Sequence, residues 1–534
     1  MTDVQQTQGR PAGLWYRVLI VALSAGLMIA LSQLVFRGVT YLRESQSYAS
    51  AWPSMVLTAT ALAPRPDASA PKLNNQRAQV FPTNTPAAPN AQDVTPTPEP
   101  VVAEATPRPL PTLFIYSGPD QSANAPLPIP TAVPQLDRQG NDLMNILLLG
   151  NDNEITGESV ARTDTIMILS INRSTNSVSL LSLPRDLYVY VPSWTMQRIN
   201  VAYPYGESVG WTDGGFGLMR QTLFYNFGIN VHYYAMVDLT GFKALVDAVG
   251  GVELSVDCAI QDLPLIGAEV PAGAYRYDAD GYYVLPVGYY TMNGEEALWY
   301  SRSRHNSSDF DRGRRQQQVV RAVWRAAREQ GLLTQLPNLW TQFSPYLQTN
   351  LAFEDILGLA PLATDLDAGR IETFTLVRTY HTTPWQTPDG DFVQLPVYET
   401  LRPMLEDFYS PPTANQIASE GARIAVYNGT DNPGWDRVAA ERLQWEGFNA
   451  VAMGDAPETG LPATTMIDYT GATKGSSLEA IAEVLNLSPD NLTILPSAER
   501  EYDFEVVIGE SYNSCTVGGV IAVPEGTATP SAGS

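Results

Sequence analysis

Along the chain the apolar positions change their period several times, and each change predicts an element. Residues 18–36 read VLIVALSAGLMIALSQLVF, 19 positions without a charge, closed by Arg17 and Arg37. A run of that length predicts one membrane-spanning helix. It is long for a cleaved signal peptide, the other reading of such a run. Arg10 and Arg17 precede it, and Arg37 and Arg43 with Glu44 come after it. The charge comparison across the span is therefore close to a tie. A short leading segment, 1–17, and a large polar remainder favour insertion with the bulk of the chain outside.

From 38 to 135 no period survives. Eighteen of the 41 prolines fall there, with TPTPEP at its centre. Such a segment buries too little apolar surface to offset its ordering entropy, and predicts a disordered, semi-extended tether. Treated as a flexible coil it reaches about 60 Å. A second disordered tail is expected over 524–534.

Between these ends the pattern becomes that of a folded α/β unit, 142–411. Apolar runs at 144–149, 165–171 and 178–183 predict buried strands. Residues 216–227 predict a helix, 232–237 a strand, and 241–249 a helix stopped by Gly250 and Gly251. A strand at 252–256 and helices at 295–302 and 314–329 come next, then a helix at 353–363 and a strand at 372–377. Strands interleaved with helices predict an α/β sandwich. A boundary is expected at 415–420, and after it a smaller α/β unit, 421–523. Its strands fall at 423–427, 465–468 and 504–508, and its helices at 437–444 and 478–485.

Composition narrows the function classes. The chain has 534 residues and a formal net charge of −24. A nucleic-acid partner is not expected, because a phosphate-backbone binder needs a broad basic surface. The basic residues are nearly all arginine, with lysine only at Lys72, Lys243 and Lys474. Cys258 and Cys515 are too few for a cysteine metal site. In an oxidising compartment they could pair across the two units, or both remain thiols. His232, His305 and His381 suggest no Ser-His-Asp arrangement; His305 reads as a loop residue and His232 as packing.

Two groups of polar residues remain. Asp152 falls just past the first strand, Arg162 and Asp164 open the second, and Arg185 and Asp186 come directly after the third. Ligands of open α/β sheets gather at strand ends. Two carboxylates there could hold a hard cation such as magnesium, although either one alone is more often a cap. The other group is SRSRHNSSDFDRGRRQQQ, with Arg302, Arg304, Arg312, Arg314 and Arg315 inside fourteen residues of an acidic chain. Arg312, Arg315 and Gln316 have helical spacing and can share a face. A solvated basic face and a phosphate site both fit this run.

Taken in order, LLLGNDN, ARTDTIMILSIN, VSLLSLPRDLYV, RINVAYPYG, VDLTGFKALVDAVGGVEL, NGEEALWYSRSRH and DFDRGRRQQQ resemble the LytR-CpsA-Psr domain. The combination spans about 180 residues and is specific, although no single piece is. The resemblance implies an α/β/α sandwich with a mixed central sheet and an apolar pocket for a polyprenyl chain. It implies Mg2+ held by Asp152 and Asp164. Arg162, Arg185, Arg302, Arg304, Arg312 and Gln316 would hold the carrier's phosphates. Asn200 and Arg315 match motif positions with less defined roles in substrate binding. The activity implied is transfer of a glycan polymer from a polyprenyl-pyrophosphate carrier to a peptidoglycan acceptor, by a single-pass cell-membrane protein with an extracytoplasmic head. Hydrolysis of the carrier, or a non-catalytic regulatory or tethering role, are the alternatives. Asp186, Asp309 and Asp311 are three candidates for the general base. One departure stands out: Glu207 comes after Gly206 where the family often has a second glycine, a change expected at the pocket rim. The later pieces RIAVYNGT and DFEVVIGE resemble the LytR C-terminal domain, read as a binding or positioning module.

Overall fold

The computed structural model describes residues 127–156, 162–277, 280–366, 368–411 and 420–515. The expected membrane span, most of the expected tether, the boundary at 415–419 and the tail at 524–534 lie outside these residues.

The alternation of apolar residues in the first three runs gives three strands, β1 (Leu143–Asn151), β2 (Thr163–Asn172) and β3 (Ser177–Ser182). Helices α1 (Ala202–Ser208) and α2 (Gly214–Phe227) lead into β4 (Tyr233–Val237). Then come α3 (Leu239–Ala248), the ribbon of β5 (Val252–Val256) with β6 (Gly288–Met292), α4 (Gly294–Arg302) and the long α5 (Asp309–Glu329). Strand β7 (Leu347–Thr349), α6 (Phe353–Asp365), β8 (Ile371–Thr375) and α7 (Tyr398–Phe408) complete the first unit. The central sheet has the order β7-β4-β1-β2-β3-β8. β1 runs parallel to β4 and antiparallel to β2, and β3 runs parallel to β8, so the sheet is mixed, as expected.

Side chains that alternate along a strand face opposite sides of the sheet. Leu147, Leu149, Ile166 and Ile168 pack with Phe216, Leu223 and Leu405 on one side. Ile146 and Met167 pack with Val320, Trp324 and Leu359 on the other. Helices α2 and α7 thus cover one face and α5 and α6 the other.

Two sequence expectations need correction. Helix α5 begins five residues before 314, at Asp309, because the Ser308 hydroxyl caps it by accepting the N–H of Asp311 at 3.2 Å. Gly313 then lies inside the helix, where a Cβ would come 3.0 Å from Ser182 Cβ. The glycine marks close approach to β3, not a helix start. The expected tether also ends before 135: Leu127 and Ile129 pack against Tyr188, Met196 and Val393, and Tyr225 donates to the Pro130 carbonyl at 2.8 Å.

The C-terminal sheet is built from β9 (Arg423–Asn428), β10 (Asn449–Asp455), β11 (Thr465–Asp468), β12 (Leu492–Ile494) and β13 (Phe504–Ile508). Its order is β10-β9-β13-β11-β12, with α8 (Trp435–Trp445) and α9 (Gly475–Val484) beside it. A separate core of Ile424, Val426, Leu443, Ile481 and Phe504 holds it together. Cys258 and Cys515 form a disulfide. Among the described residues no helix is long and apolar enough to cross a membrane.

Candidate functional site

The antiparallel register of β1 and β2 places Asn151 opposite Thr163, with a bulge at Gly150 and Asn151. A bulge bends its strand and re-aims the residues beyond it. Asp152, Arg162 and Asp164 therefore meet at one end of the sheet, although Asp152 is ten and twelve positions from the other two in sequence. That end is also where β1, β3, β4 and β8 finish, because their directions agree.

After β3 the chain turns at once. Leu187 N–H bonds the Pro184 carbonyl at 3.0 Å and leaves Arg185 and Asp186 at the tip of the turn. Arg185 Nη1 lies 2.9 Å from Asp164 Oδ2, and its Nε is 3.6 Å from Asp186 and 3.5 Å from Asp309. Burial works against the Arg185 charge, but Asp164, Asp309 and Asp186 outweigh it and raise its pKa.

Helix α5 brings the second group to the same place. Gln317 Nε2 donates to Ser182 Oγ at 2.9 Å and to the Phe374 carbonyl at 2.9 Å, which stitches the helix to β3 and β8. Its first turn then delivers Arg312, whose Nη2 bonds the Asp164 carbonyl at 3.2 Å and faces Asp309 at 3.4 Å. Arg312 is 7% exposed, and burial pushes its pKa down. Arg302, at the last turn of α4, is half-buried and bonds the Ile266 carbonyl at 2.9 Å. Burial lowers its pKa too, with the charges of Asp152 and Asp164 opposing. Arg304 and Arg162 are exposed at the rim. The Arg304 charge still acts on Arg302, Asp309 and Arg312.

Asp152 is raised by burial first and by the charge of Asp164 second. Two mutually repelling carboxylates gain from a cation between them. Among the described residues no group of three or more His, Cys, Asp or Glu side chains is arranged to hold a metal ion. Asp152 and Asp164 are the residues that could hold a hard cation, since magnesium is bound through as few as one or two carboxylates with water and phosphate oxygens around it.

Three motif residues depart from their expected roles. Arg315 is 0% exposed and turned inward. Its Nε bonds Asp311 at 3.1 Å, Nη2 bonds Ser307 Oγ at 3.1 Å, and the remaining donors hold the carbonyls of Tyr300 and Ser303. With its donors committed to the α4–α5 junction it is a structural staple and not a substrate-binding group. Asp311, a base candidate, is clamped by Arg315 and Arg314. Burial pushes its carboxyl up, but the two arginines outweigh burial and hold it below the usual range. It is a poor proton acceptor. Arg314, from the same run, pairs with Asp257 as well as Asp311 and also leaves the site.

Other expected residues fall nearby. Asn200 is buried below β2, where Thr163 Oγ1 meets its backbone carbonyl at 3.4 Å. Gln316 is half-buried, with Nε2 3.4 Å from the Ser301 carbonyl. Glu207 accepts the N–H of Gly215 at 2.6 Å and caps the start of α2. Sequence reasoning missed Arg198, which faces Asp186 at 3.3 Å. It belongs to the RINVAYPYG piece, two residues before Asn200, and its place in that motif was the available signal.

The family model described as LytR_cpsA_psr family matches residues 120–396, more than half of the chain. The chain belongs to this family. A second model, described as LytR cell envelope-related transcriptional attenuator, matches residues 421–512. Two similar proteins bear the name polyisoprenyl-teichoic acid–peptidoglycan teichoic acid transferase. TagU of Oceanobacillus iheyensis is 35% identical over 217 residues, 40% of this chain and 61% of that protein. TagT of Bacillus subtilis is 32% identical over 232 residues, 42% of this chain and 66% of that protein. The regulatory protein MsrR of Staphylococcus aureus is 33% identical over 212 residues, 39% of this chain and 56% of that protein. Each alignment covers less than two thirds of the relative's own length.

Proposed function

We propose that this LytR-CpsA-Psr protein transfers a glycan polymer from a polyprenyl-pyrophosphate carrier to peptidoglycan through a phosphodiester bond. The observation that carries this reading is the clustering of Arg185, Arg302 and Arg312 around Asp152 and Asp164 at the sheet end where β1, β3, β4 and β8 finish: Arg185 pairs with the Asp164 carboxylate, Arg312 bonds its carbonyl, and both carboxylates act on the Arg302 charge. Guanidinium groups match phosphate oxygens in geometry as well as charge. The names of the TagU and TagT relatives support the same class of substrate and acceptor.

The chemistry asked of the chain is positioning and charge neutralisation. A sugar hydroxyl of the acceptor attacks the phosphorus that carries the glycan. The bond from that phosphorus to the bridging oxygen breaks, and polyprenyl phosphate leaves. Arg185, Arg302 and Arg312, with Arg162, Arg304 and Gln316 at the rim, hold the two phosphates and stabilise the charge that grows on their oxygens. Magnesium, held by Asp152 and Asp164, would add a fixed positive charge to the same oxygens. The hydroxyl proton passes to Asp186. Burial raises this carboxyl, and a hydrogen bond and the negative charge of Asp309 add to the effect, so it accepts a proton more readily than an ordinary aspartate. Asn200 lies beneath the same strand end and is placed to support the substrate side of β2.

The apolar run at 18–36 would anchor the protein in the cell membrane, and the proline-rich segment would give the extracytoplasmic head its reach. The full-length chain in detergent, given a polyprenyl-pyrophosphate-linked sugar, magnesium and peptidoglycan fragments, tests the proposal. Release of polyprenyl phosphate coupled to sugar attachment, and lost in Asp164→Ala and Arg312→Ala, is the expected result. Release without attachment would favour hydrolysis, and neither binding nor release would remove the catalytic reading.

A further inference from the structure

Helix α5 belongs to two structures at once. Its first turns carry Arg312 into the candidate site, and its later turns meet the C-terminal domain. Arg325 Nη1 lies 3.6 Å from Glu441 Oε1 of α8, and the Arg321 guanidinium stacks over the Trp445 ring at 4.8 Å. Glu441 is 6% exposed, and both arginines oppose the burial that raises its pKa. A second tie reaches the start of the helix. Ser514 Oγ donates to the Asp257 carbonyl at 2.6 Å, and the neighbouring Cys258 is bonded to Cys515. The Asp257 carboxylate in turn grips both terminal nitrogens of Arg314, which shares Asp311 with Arg315. Arg312 lies in the first turn of α5, ahead of both anchored positions, and reaches toward Asp164.

We infer that the C-terminal domain is a positioning element for Arg312: by holding α5 through Glu441 and through Asp257, it sets where that guanidinium lies against Asp164. The inference rests on the proposed phosphate role of Arg312. Its physical basis is leverage. A helix is a stiff rod, and its side chains lie about 6 Å from its axis, so a rotation of roughly 10° moves a side-chain head about 1 Å. A misplacement of about 1 Å in a catalytic group can cost on the order of a hundredfold in rate. Ion pairs at Arg314 and Arg325, the first made by Asp257 next to the disulfide-bonded Cys258, are well placed to prevent that rotation. Simple docking of a neighbour would need only apolar contact, whereas here a buried carboxylate faces two arginines of the helix that bears the site.

The test uses the full-length chain in detergent with polyprenyl pyrophosphate as the probe, binding read by calorimetry, and amide hydrogen exchange read over residues 309–316. Glu441→Gln removes the charge facing α5, and Glu441→Asp keeps it. Arg437→Ala is the control: its guanidinium stacks over Tyr289 of β6 at 5.0 Å, in the same interface but off α5. Glu441→Gln should weaken binding at least fivefold and speed exchange over 309–316. Glu441→Asp should recover at least half of that loss, and Arg437→Ala should change neither. Equal effects of Glu441→Gln and Arg437→Ala, or a lowered melting temperature with unchanged exchange, would overturn the inference. If the unaltered chain binds no polyprenyl pyrophosphate, the phosphate reading fails by itself. The exchange measurement then decides whether the C-terminal domain positions α5: faster exchange supports it and unchanged exchange overturns it.

Discussion

Asp186, on the turn after β3, and Asp309, on the first turn of α5, both face Arg185 Nε, at 3.6 and 3.5 Å. Burial raises Asp186, whereas Arg312 and Arg185 outweigh burial at Asp309 and hold it low. If Asp186 accepts the hydroxyl proton, turnover falls as pH drops through its raised pKa. Asp186→Asn should lower kcat by roughly a hundredfold or more while leaving carrier binding nearly intact. Asp309→Asn removes the negative charge that helps to raise Asp186, so the acid limb of the rate profile should move to lower pH. A limb that stays in place in Asp309→Asn would dismiss the pairing.

Arg312 and Arg315 stand three residues apart and should fail in different ways. Arg312→Ala should abolish turnover with a melting temperature close to that of the unaltered chain. Arg315→Ala leaves Asp311 Oδ2 and the carbonyls of Tyr300 and Ser303 without their Arg315 donors in a closed space, with only Arg314 still held by the Asp311 carboxylate. Breaking such a buried pair costs about 3–5 kcal/mol. Thermal unfolding should show the loss for Arg315→Ala first, and equal stability of the two variants would contradict the assignment.

Glu372 on β8 is pushed up to about 7, first by burial and then by Asp407 of α7. Because its folded pKa lies above the unfolded value of 4.5, its share of stability is full below that value and is lost as pH rises through about 7. Glu372→Gln should therefore raise the melting temperature by several degrees at about pH 8 and leave it unchanged near pH 4.5. Melting curves at the two pH values check this.

Asp503 shows the opposite sign. Lys474 and Arg500 each donate to its carboxylate at 2.8 Å, and the Arg423 N–H does so at 3.0 Å. These bonds outweigh burial and hold it at about 2. Its contribution, on the order of 2 kcal/mol, is present above the unfolded value of 3.8 and is lost as pH falls toward 2. Asp503→Asn should weaken the C-terminal domain at neutral pH and flatten its acid unfolding, as monitored by the fluorescence of Trp435 and Trp445.

The sheet is legible in the sequence because its strands are continuous apolar runs, and Leu147 and Ile168 could only be buried. The meeting of Asp152, Asp164 and Arg185 is also foreseeable, since all three close or open such runs. The start of α5 is harder to place, because Gly313 reads as a breaker even though the Ser308 and Asp311 cap is in view. The inward turn of Arg315 is not readable: spacing places it near Arg312 and Gln316, but only the α4–α5 packing decides which donors face carbonyls and which face the sheet end. Asp257 is invisible for a similar reason. Its partner Arg314 is 57 residues away, and nothing local marks the pair.

The Cys258–Cys515 bond closes a covalent ring across a sequence separation of 257 residues, and the ring contains Arg302, Arg312 and the whole C-terminal sheet. A single cut by a protease anywhere between the two cysteines would leave both fragments joined. The protein would run as one species on a non-reducing gel and as two after reduction. Because Cys515 is made after everything else in the ring, the closure cannot form until all of the chain between the two cysteines has been synthesised, so the intact bond is a chemical record that this stretch was completed before it was oxidised.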